Sequence, residues 1–164
     1  MTKNLDKEGL SSIVDNYNLF YIDLWGVVHN GVNLYQGAID TLKEISKKKK
    51  DYVLLTNAPR PNSTVKNFLK KMGMDKEISD NVFTSGEAAL NYLNKNYFDE
   101  KFYHVGPPKD FDLFKSFEKM KLNNIENSEY IICTGLFDEH DNDLNYYKKL
   151  FEKNLKKKMI CTNP

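Results

Sequence analysis

The chain reads as an α/β protein built on a parallel sheet, and two observations carry that reading. Short apolar runs of strand length alternate with segments of helical period along the chain. The first run, within LFYIDLWGVVHNG (Leu19 to Gly31), brings a single acid, Asp23, to its end and then breaks into a Gly-containing turn. In an open α/β sheet, ligands bind beyond the carboxyl ends of the strands, and an Asp held there can attack phosphorus to form an aspartyl-phosphate. The same residue also reads as an ordinary turn-forming Asp at a strand end.

Each element has its own signal. Leu19 to Asp23 form the first strand; Ala38, Ile39, Leu42 and Ile45 then recur at helical spacing, and Lys47 to Lys50 sit where cations favour a helix C-terminus. That lysine run is read as a solvated helix end, not a binding patch. The second strand, Tyr52 to Leu55, is followed by Thr56, Asn57, Ala58, Pro59, Arg60 and Pro61, whose prolines stop the strand and open a helix. That helix places Val65, Phe68, Leu69 and Met72 on one face and stops at Gly73. A third strand, Asn81 to Phe83, leads into a helix over Ala88 to Leu93, with Thr84 and Glu87 at capping-box spacing.

The second half continues the alternation: a run at Phe102 to Val105, a turn at Gly106, Pro107 and Pro108, and a helix carrying Phe111, Phe114 and Phe117. A strand at Tyr130 to Cys133, a helix bearing Leu144, Tyr147, Phe151 and Leu155, and a last run at Met159 to Cys161 follow. The aromatic stripes are read as core. No internal repeat and no Gly/Ser-rich linker interrupt the chain, so a boundary near residue 82 divides it into 1–82 and 83–164.

Composition narrows the function classes. The chain has 164 residues, 40% of them hydrophobic, enough to bury a core. Lys and Arg number 24 against 23 Asp and Glu, so a net charge of +1 offers no general attraction to nucleic acid or an anionic membrane. No apolar stretch approaches the roughly 20 residues that span a bilayer, and the N-terminus lacks a signal-peptide core, which predicts a cytoplasmic protein without membrane partners. Cys133 and Cys161 show no CxxC spacing and are expected as buried thiols. His29, His104 and His140 form no metal-binding array, so any metal is expected to be a hard ion on carboxylates. Arg60 is the only arginine and stands beside the Thr56–Asn57 pair; a guanidinium grips phosphate bidentately, and a solvated loop Arg is the plainer alternative.

Asp23 in its extended motif, Gln36–Gly37–Ala38 opening the next helix, Thr56 and Asn57 ending the second strand, and FTSGEAA at Phe83 to Ala89 occur in the order of one family. The chain resembles the haloacid dehalogenase-like hydrolases, class IIA, the group of NagD-like and p-nitrophenyl-phosphatase-like proteins, and within it a subgroup whose first motif reads DxWGVxHxG. HVGPPKD (His104 to Asp110), YIICTGL (Tyr130 to Leu136) and MICTNP (Met159 to Pro164) look like the cap of that class. The resemblance implies a Rossmann-like core, of which 1–82 is the N-terminal part, with an inserted α/β cap over 83–164. It implies Asp23 as nucleophile, Mg²⁺ bound by the Asp23 carboxylate and the Trp25 carbonyl, and Thr56 with the following amide as phosphate ligands, with Asn57 shaping that loop.

Two departures qualify the resemblance. The family's second Asp, two residues beyond the nucleophile, is Trp25 here, and an indole neither protonates a leaving group nor activates water. His29, in the turn that follows, is the candidate substitute, with backbone capping as its alternative role. The family's Lys and its acidic GDxxxxD loop do not follow, so the chain is expected to be a C-terminally truncated piece that exposes a sheet edge and apolar helix faces. The expected activity is a Mg²⁺-dependent phosphomonoester hydrolase acting on a small phosphorylated metabolite, inactive as these 164 residues alone. The alternative is a degenerate non-catalytic module that binds a phosphorylated metabolite or partner through Thr56 to Arg60 and the cap. A nucleotide-binding Rossmann module is disfavoured because no GxGxxG follows the first strand and no GxxxxGK[ST] occurs. Caps of this class often mediate dimers, so the aromatic-rich second half is also read as a homodimer surface, although core packing explains its aromatics equally well. Gly135 to Asp138 and Thr162, Asn163 and Pro164 are the candidate substrate-facing cap residues.

Overall fold

A computed structural model describes residues 4–163, the side chain of Phe111 excepted. Pro164, the last of the candidate cap residues, lies outside the described residues. Contacts divide the chain into two compact units, one of residues up to Thr56 with Lys66–Phe83, the other of Asn57–Val65 with residues from Thr84 onward.

The first unit holds a sheet of order β1–β2–β3: β1 is Leu19–Asp23, β2 Asp51–Thr56 and β3 Val82–Thr84, whose last residue begins the second unit. β1 and β2 run parallel with Asp23 opposite Leu55. Before β1, α1 (Leu5–Glu8) is capped by the Asn4 side chain. α2 (Gln36–Lys47) buries Ile39, Leu42 and Ile45, the stripe that its periodicity predicts. It ends where Lys49 turns to φ 56°, and the lysine run is spent on local surface pairs, Lys47 with Glu44 and Lys48 with Asp15.

α3 (Asn62–Lys71) buries Val65 and Leu69, and Met74 returns its N–H to the Leu69 carbonyl past Gly73, a Schellman-type stop. Phe68, expected in the same stripe, stays partly exposed and meets the His29 ring edge-on at 5.8 Å. A short α4 (Lys76–Ser79) leads to β3. One face of this sheet carries Tyr52, Leu54 and Val82 buried, while Leu19, Tyr21, Leu55 and Phe83 on the other are exposed. Where a sheet edge and helix faces were expected to be exposed, the uncovered apolar surface of this sheet is one of its faces, a consequence of strict alternation along strands that are apolar on both sides.

The second unit contains a four-stranded sheet of order β5–β4–β6–β7, its neighbours all parallel. β4 is Phe102–Val105, β5 Lys121–Leu122, β6 Tyr130–Cys133 and β7 Lys158–Cys161. Only the two-residue β5 has no counterpart in the sequence pattern, being too short to show a period. α5 (Ser85–Asn96), α6 (Leu144–Glu152) and the segment Pro108–Met120 pack on this sheet. That last segment is 3₁₀ and not α-helical; its Phe residues recur every three positions, the period of a helix with three residues per turn, and Phe114 and Phe117 are buried. On one face Leu93, Phe102, Leu113, Phe114, Phe117, Tyr130 and Ile132 form one cluster, and Val105, Ile131 and Tyr147 form another with Phe137 and Phe151 beside them.

Two expectations about this half are corrected. Leu144 and Leu155 are 83% and 80% exposed, because α6 ends at Glu152 and its buried stripe reduces to Tyr147 and its neighbours. The cysteines are not buried thiols: Cys133 is half-buried and Cys161 exposed, since β7 is the outermost strand of its sheet among the described residues.

Candidate active site

Asp23 is the last residue of β1, exposed, with its Oδ1 accepting the N–H of Leu24 at 2.7 Å. This bond orients the carboxylate at the carboxyl edge of the sheet. Since Asp23 pairs with Leu55 in the parallel ladder, Thr56, which ends β2, stands at the same edge. The first unit therefore brings Asp23 and Thr56 together from two apolar strands, each ending where the chain turns.

Trp25 and His29 belong to the turn after β1. The N–H groups of Val28 and His29 return to the Leu24 carbonyl, and Gly26 donates to the carbonyl of His29. The indole of Trp25 is 64% exposed and meets the His29 ring edge-on at 5.5 Å. It also lies over Gly31, where φ of 90° favours glycine and a Cβ would push the exposed indole aside. His29 itself is buried, and its Nδ1 accepts the Gly31 N–H at 3.0 Å. Burial lowers its pKa, against a smaller opposing pull from the Asp23 charge. A ring held this way is neutral near pH 7, with its proton on Nε2.

Asn57 and Arg60 fall in the second unit. Asn57 Nδ2 donates to Asn163 Oδ1 at 3.0 Å, which places one candidate cap residue, Asn163, against a predicted loop residue. The guanidinium of Arg60 lies 3.8 Å from the carboxylate of Asp110, which is almost fully buried. Burial raises the Asp110 pKa, opposed by its bond to Thr134 and by the Arg60 charge. Thr134 in turn lies 2.8 Å from Nε2 of the buried His104. Burial depresses that imidazole to a pKa of about 4, so His104 is neutral at physiological pH. HVGPPKD and YIICTGL, flagged only as segments, thus supply His104, Asp110 and Thr134, which with Arg60 make one polar chain at the carboxyl ends of β4 and β6.

FTSGEAA has a role that its capping-box spacing half reveals. Thr84 Oγ1 accepts the N–H of Glu87 at 2.9 Å, as the spacing predicts. The Glu87 carboxylate, however, caps another helix: its Oε2 accepts the N–H of Asn62 at 2.9 Å, and Asn62 Oδ1 accepts the N–H of Thr84 at 2.9 Å. Thr84 Oγ1 also donates to the Arg60 carbonyl, and both Ser85 Oγ and the Gly86 N–H donate to the Ala58 carbonyl. Any Cβ on Gly86 would run into the Arg60 backbone. The motif therefore clamps residues 58–62, the segment that carries the sole arginine.

The groups that the resemblance names for a metal, the Asp23 carboxylate and the Trp25 carbonyl, are oxygens and would suit a hard divalent cation in kind. Among the described residues no group of three or more His, Cys, Asp or Glu is placed to cage a metal, and no helix is long and apolar enough to cross a membrane.

Comparison with known proteins gives the family and the fold. Residues 20–119 match the family model described as haloacid dehalogenase-like hydrolase. "Phosphoglycolate phosphatase 2" of Arabidopsis thaliana is 26% identical over 164 aligned residues, which take in 88% of this chain and 53% of that protein. A haloacid dehalogenase-like hydrolase of Brucella suis 1330 superposes with a TM-score of 0.79 at 27% identity, over 94% of this chain and 57% of the other. The 4-nitrophenylphosphatase of Thermotoga maritima shares the fold at a TM-score of 0.63 and 24% identity, over 92% of this chain and 56% of its own. The chain spans about half the length of the relatives that it matches. With that family model over most of its length and class IIA neighbours in structure, the chain belongs to the haloacid dehalogenase-like hydrolases, class IIA.

Proposed function

We propose that this chain carries the nucleophile of a Mg²⁺-dependent phosphomonoester hydrolase, acting through an aspartyl-phosphate at Asp23. The observation that carries the reading is the placement of an oriented, exposed carboxylate at the end of β1 with Thr56 at the same sheet edge. With Oδ1 held by Leu24, Oδ2 attacks phosphorus, the ester P–O bond breaks, and the alkoxide leaves with the electron pair and takes its proton from water. Water then releases phosphate and regenerates the carboxylate. The Thr56 hydroxyl and the amide that follows it hold the transferring phosphoryl oxygens. Asp23 and the Trp25 carbonyl would hold Mg²⁺, which supplies charge neutralisation.

Trp25 shapes the substrate range. General acid catalysis contributes roughly 10² to 10⁴ in rate, and an indole cannot supply it, so esters with good leaving groups are favoured. His29 can act as proton donor through Nε2 only as the imidazolium, which forms when Nδ1 gives up the Gly31 N–H that it accepts and takes a proton instead. In this reading residues 83–164 are the cap, Arg60 a phosphate ligand, the substrate a small phosphorylated metabolite, and the protein cytoplasmic.

The test is p-nitrophenyl phosphate hydrolysis with and without Mg²⁺, on this chain and on the product of the complete reading frame, each with its Asp23→Asn variant. Mg²⁺-dependent turnover that falls by at least about 10³-fold in the variant is expected; unchanged turnover would sink the nucleophile assignment. The second reading, a non-catalytic module that binds a phosphorylated ligand, is favoured by Trp25 at the acid position and would follow from inactivity of both products.

A further inference from the structure

The two cysteines, far apart in sequence, meet in space. Cys133 ends β6 and Cys161 ends β7, and the two are directly opposite in the parallel ladder. Directly opposed residues of a parallel pair project from the same face, and adjacent strands are about 4.8 Å apart, inside the Cα separation that a disulfide spans. Neither is oxidised, and their surroundings differ: Cys161 is exposed on the outer strand, whereas Cys133 is half-buried beside Ile131 and Tyr147, with its thiol directed at the Gly135 carbonyl.

We propose that Cys133 and Cys161 form a reversible dithiol modification site that low-molecular-weight disulfides close into an intramolecular bond. The exposed Cys161 thiolate attacks one sulfur of the oxidant, forming a mixed disulfide and expelling one thiolate. The Cys133 sulfur, its proton passing to solvent, then attacks the Cys161 sulfur and expels the second thiol. Two hydrogens and two electrons pass from the protein to the oxidant, which leaves as two thiols. Cys161 is the entry point because the oxidant reaches it first; Cys133 resolves because it is next to it and shielded.

The location gives closure a consequence. Thr162 donates its N–H to the Cys133 carbonyl, and Asn163 beyond it accepts the Asn57 side chain. A bond between the thiols therefore ties down the strand end that carries the partner of Asn57. This proposal does not depend on phosphoryl chemistry at Asp23 and is tested without an activity assay.

The experiment is intact-mass and thiol titration of the full chain after incubation with glutathione disulfide at pH 8, native and in urea. Native protein is expected to lose two hydrogens, keep no titratable thiol, remain unlinked to other copies and revert with a phosphine reductant. In urea, glutathione adducts are expected instead, because the strand register no longer holds the sulfurs together. Cys133→Ser should trap a single stable adduct on Cys161, and Cys161→Ser should react more slowly. Two adducts on native wild-type protein, disulfide-linked copies, or equal closure in urea would each overturn the proposal.

Discussion

In the sheet of β4 to β7, aromatic and branched side chains are buried on both faces, one cluster around Phe102 and Tyr130 and the other around Ile131 and Tyr147. In the sheet of β1 to β3 only one face is buried, and the other presents Leu19, Tyr21, Leu55 and Phe83. Both sheets have parallel pairs of similar composition, so strand pattern alone does not decide burial. What differs is the supply of packing elements. α5, α6 and the 3₁₀ segment pack on the sheet of β4 to β7, and His104, Thr134 and Asp110 are buried at its strand ends. Asp23 and Trp25, at the strand ends of the other sheet, remain exposed. The exposed acid of this chain thus stands where packing is thin, and the buried polar groups where it is dense.

The comparison breaks if the two sheets respond alike to mutation. The largest effect is expected at Phe102→Ala, which empties the aromatic cluster and should lower stability by about 3–5 kcal/mol in urea titration. Gly86→Ala should follow, at about 1–3 kcal/mol, because the new methyl meets the Arg60 backbone; its effect should appear together with loosening of residues 58–62 in amide exchange. At the other extreme, Tyr21→Thr on the uncovered face should shift stability by no more than about 0.5 kcal/mol while reducing the binding of a hydrophobic dye. An equal loss at Tyr21 and Phe102 would mean that the exposed face is covered in solution.

Protonation sharpens the same contrast. His104 titrates near 6.5 when unfolded and about 4 when folded, so between those values the unfolded chain binds the extra proton. Stability from His104 is full above pH 6.5 and is lost as pH falls toward 4. Asp110, whose pKa is raised by burial, acts in the opposite sense, its contribution being lost as pH rises. The urea midpoint of wild type compared with His104→Asn, measured at pH 7 and pH 5, isolates the histidine: the variant should lose less on acidification.

Much of this architecture was legible. Leu19 to Asp23, Phe102 to Val105 and Tyr130 to Cys133 are strands at the predicted residues, and Ile39, Leu42 and Ile45 form the predicted buried stripe. The 3₁₀ form of Pro108–Met120 was written in its three-residue Phe spacing but is easily taken for a helix of the usual kind. Leu144 and Leu155 misled because periodicity marks a face without stating how far the packing extends.

From the sequence alone came the strand ends, the helical stripes, the carboxylate of Asp23 at a carboxyl edge and the family motifs. The strand ends, the stripes and the placement of Asp23 follow from backbone periods and turn chemistry that act over a few residues, and the motifs from a resemblance to a known family. Only the tertiary structure decided that Glu87 caps the helix at Asn62, that Thr134 joins His104 to Asp110, and that Cys133 faces Cys161. Those meetings depend on which strands lie side by side and in what register, a choice made by the burial of the whole sheet and not by any local pattern.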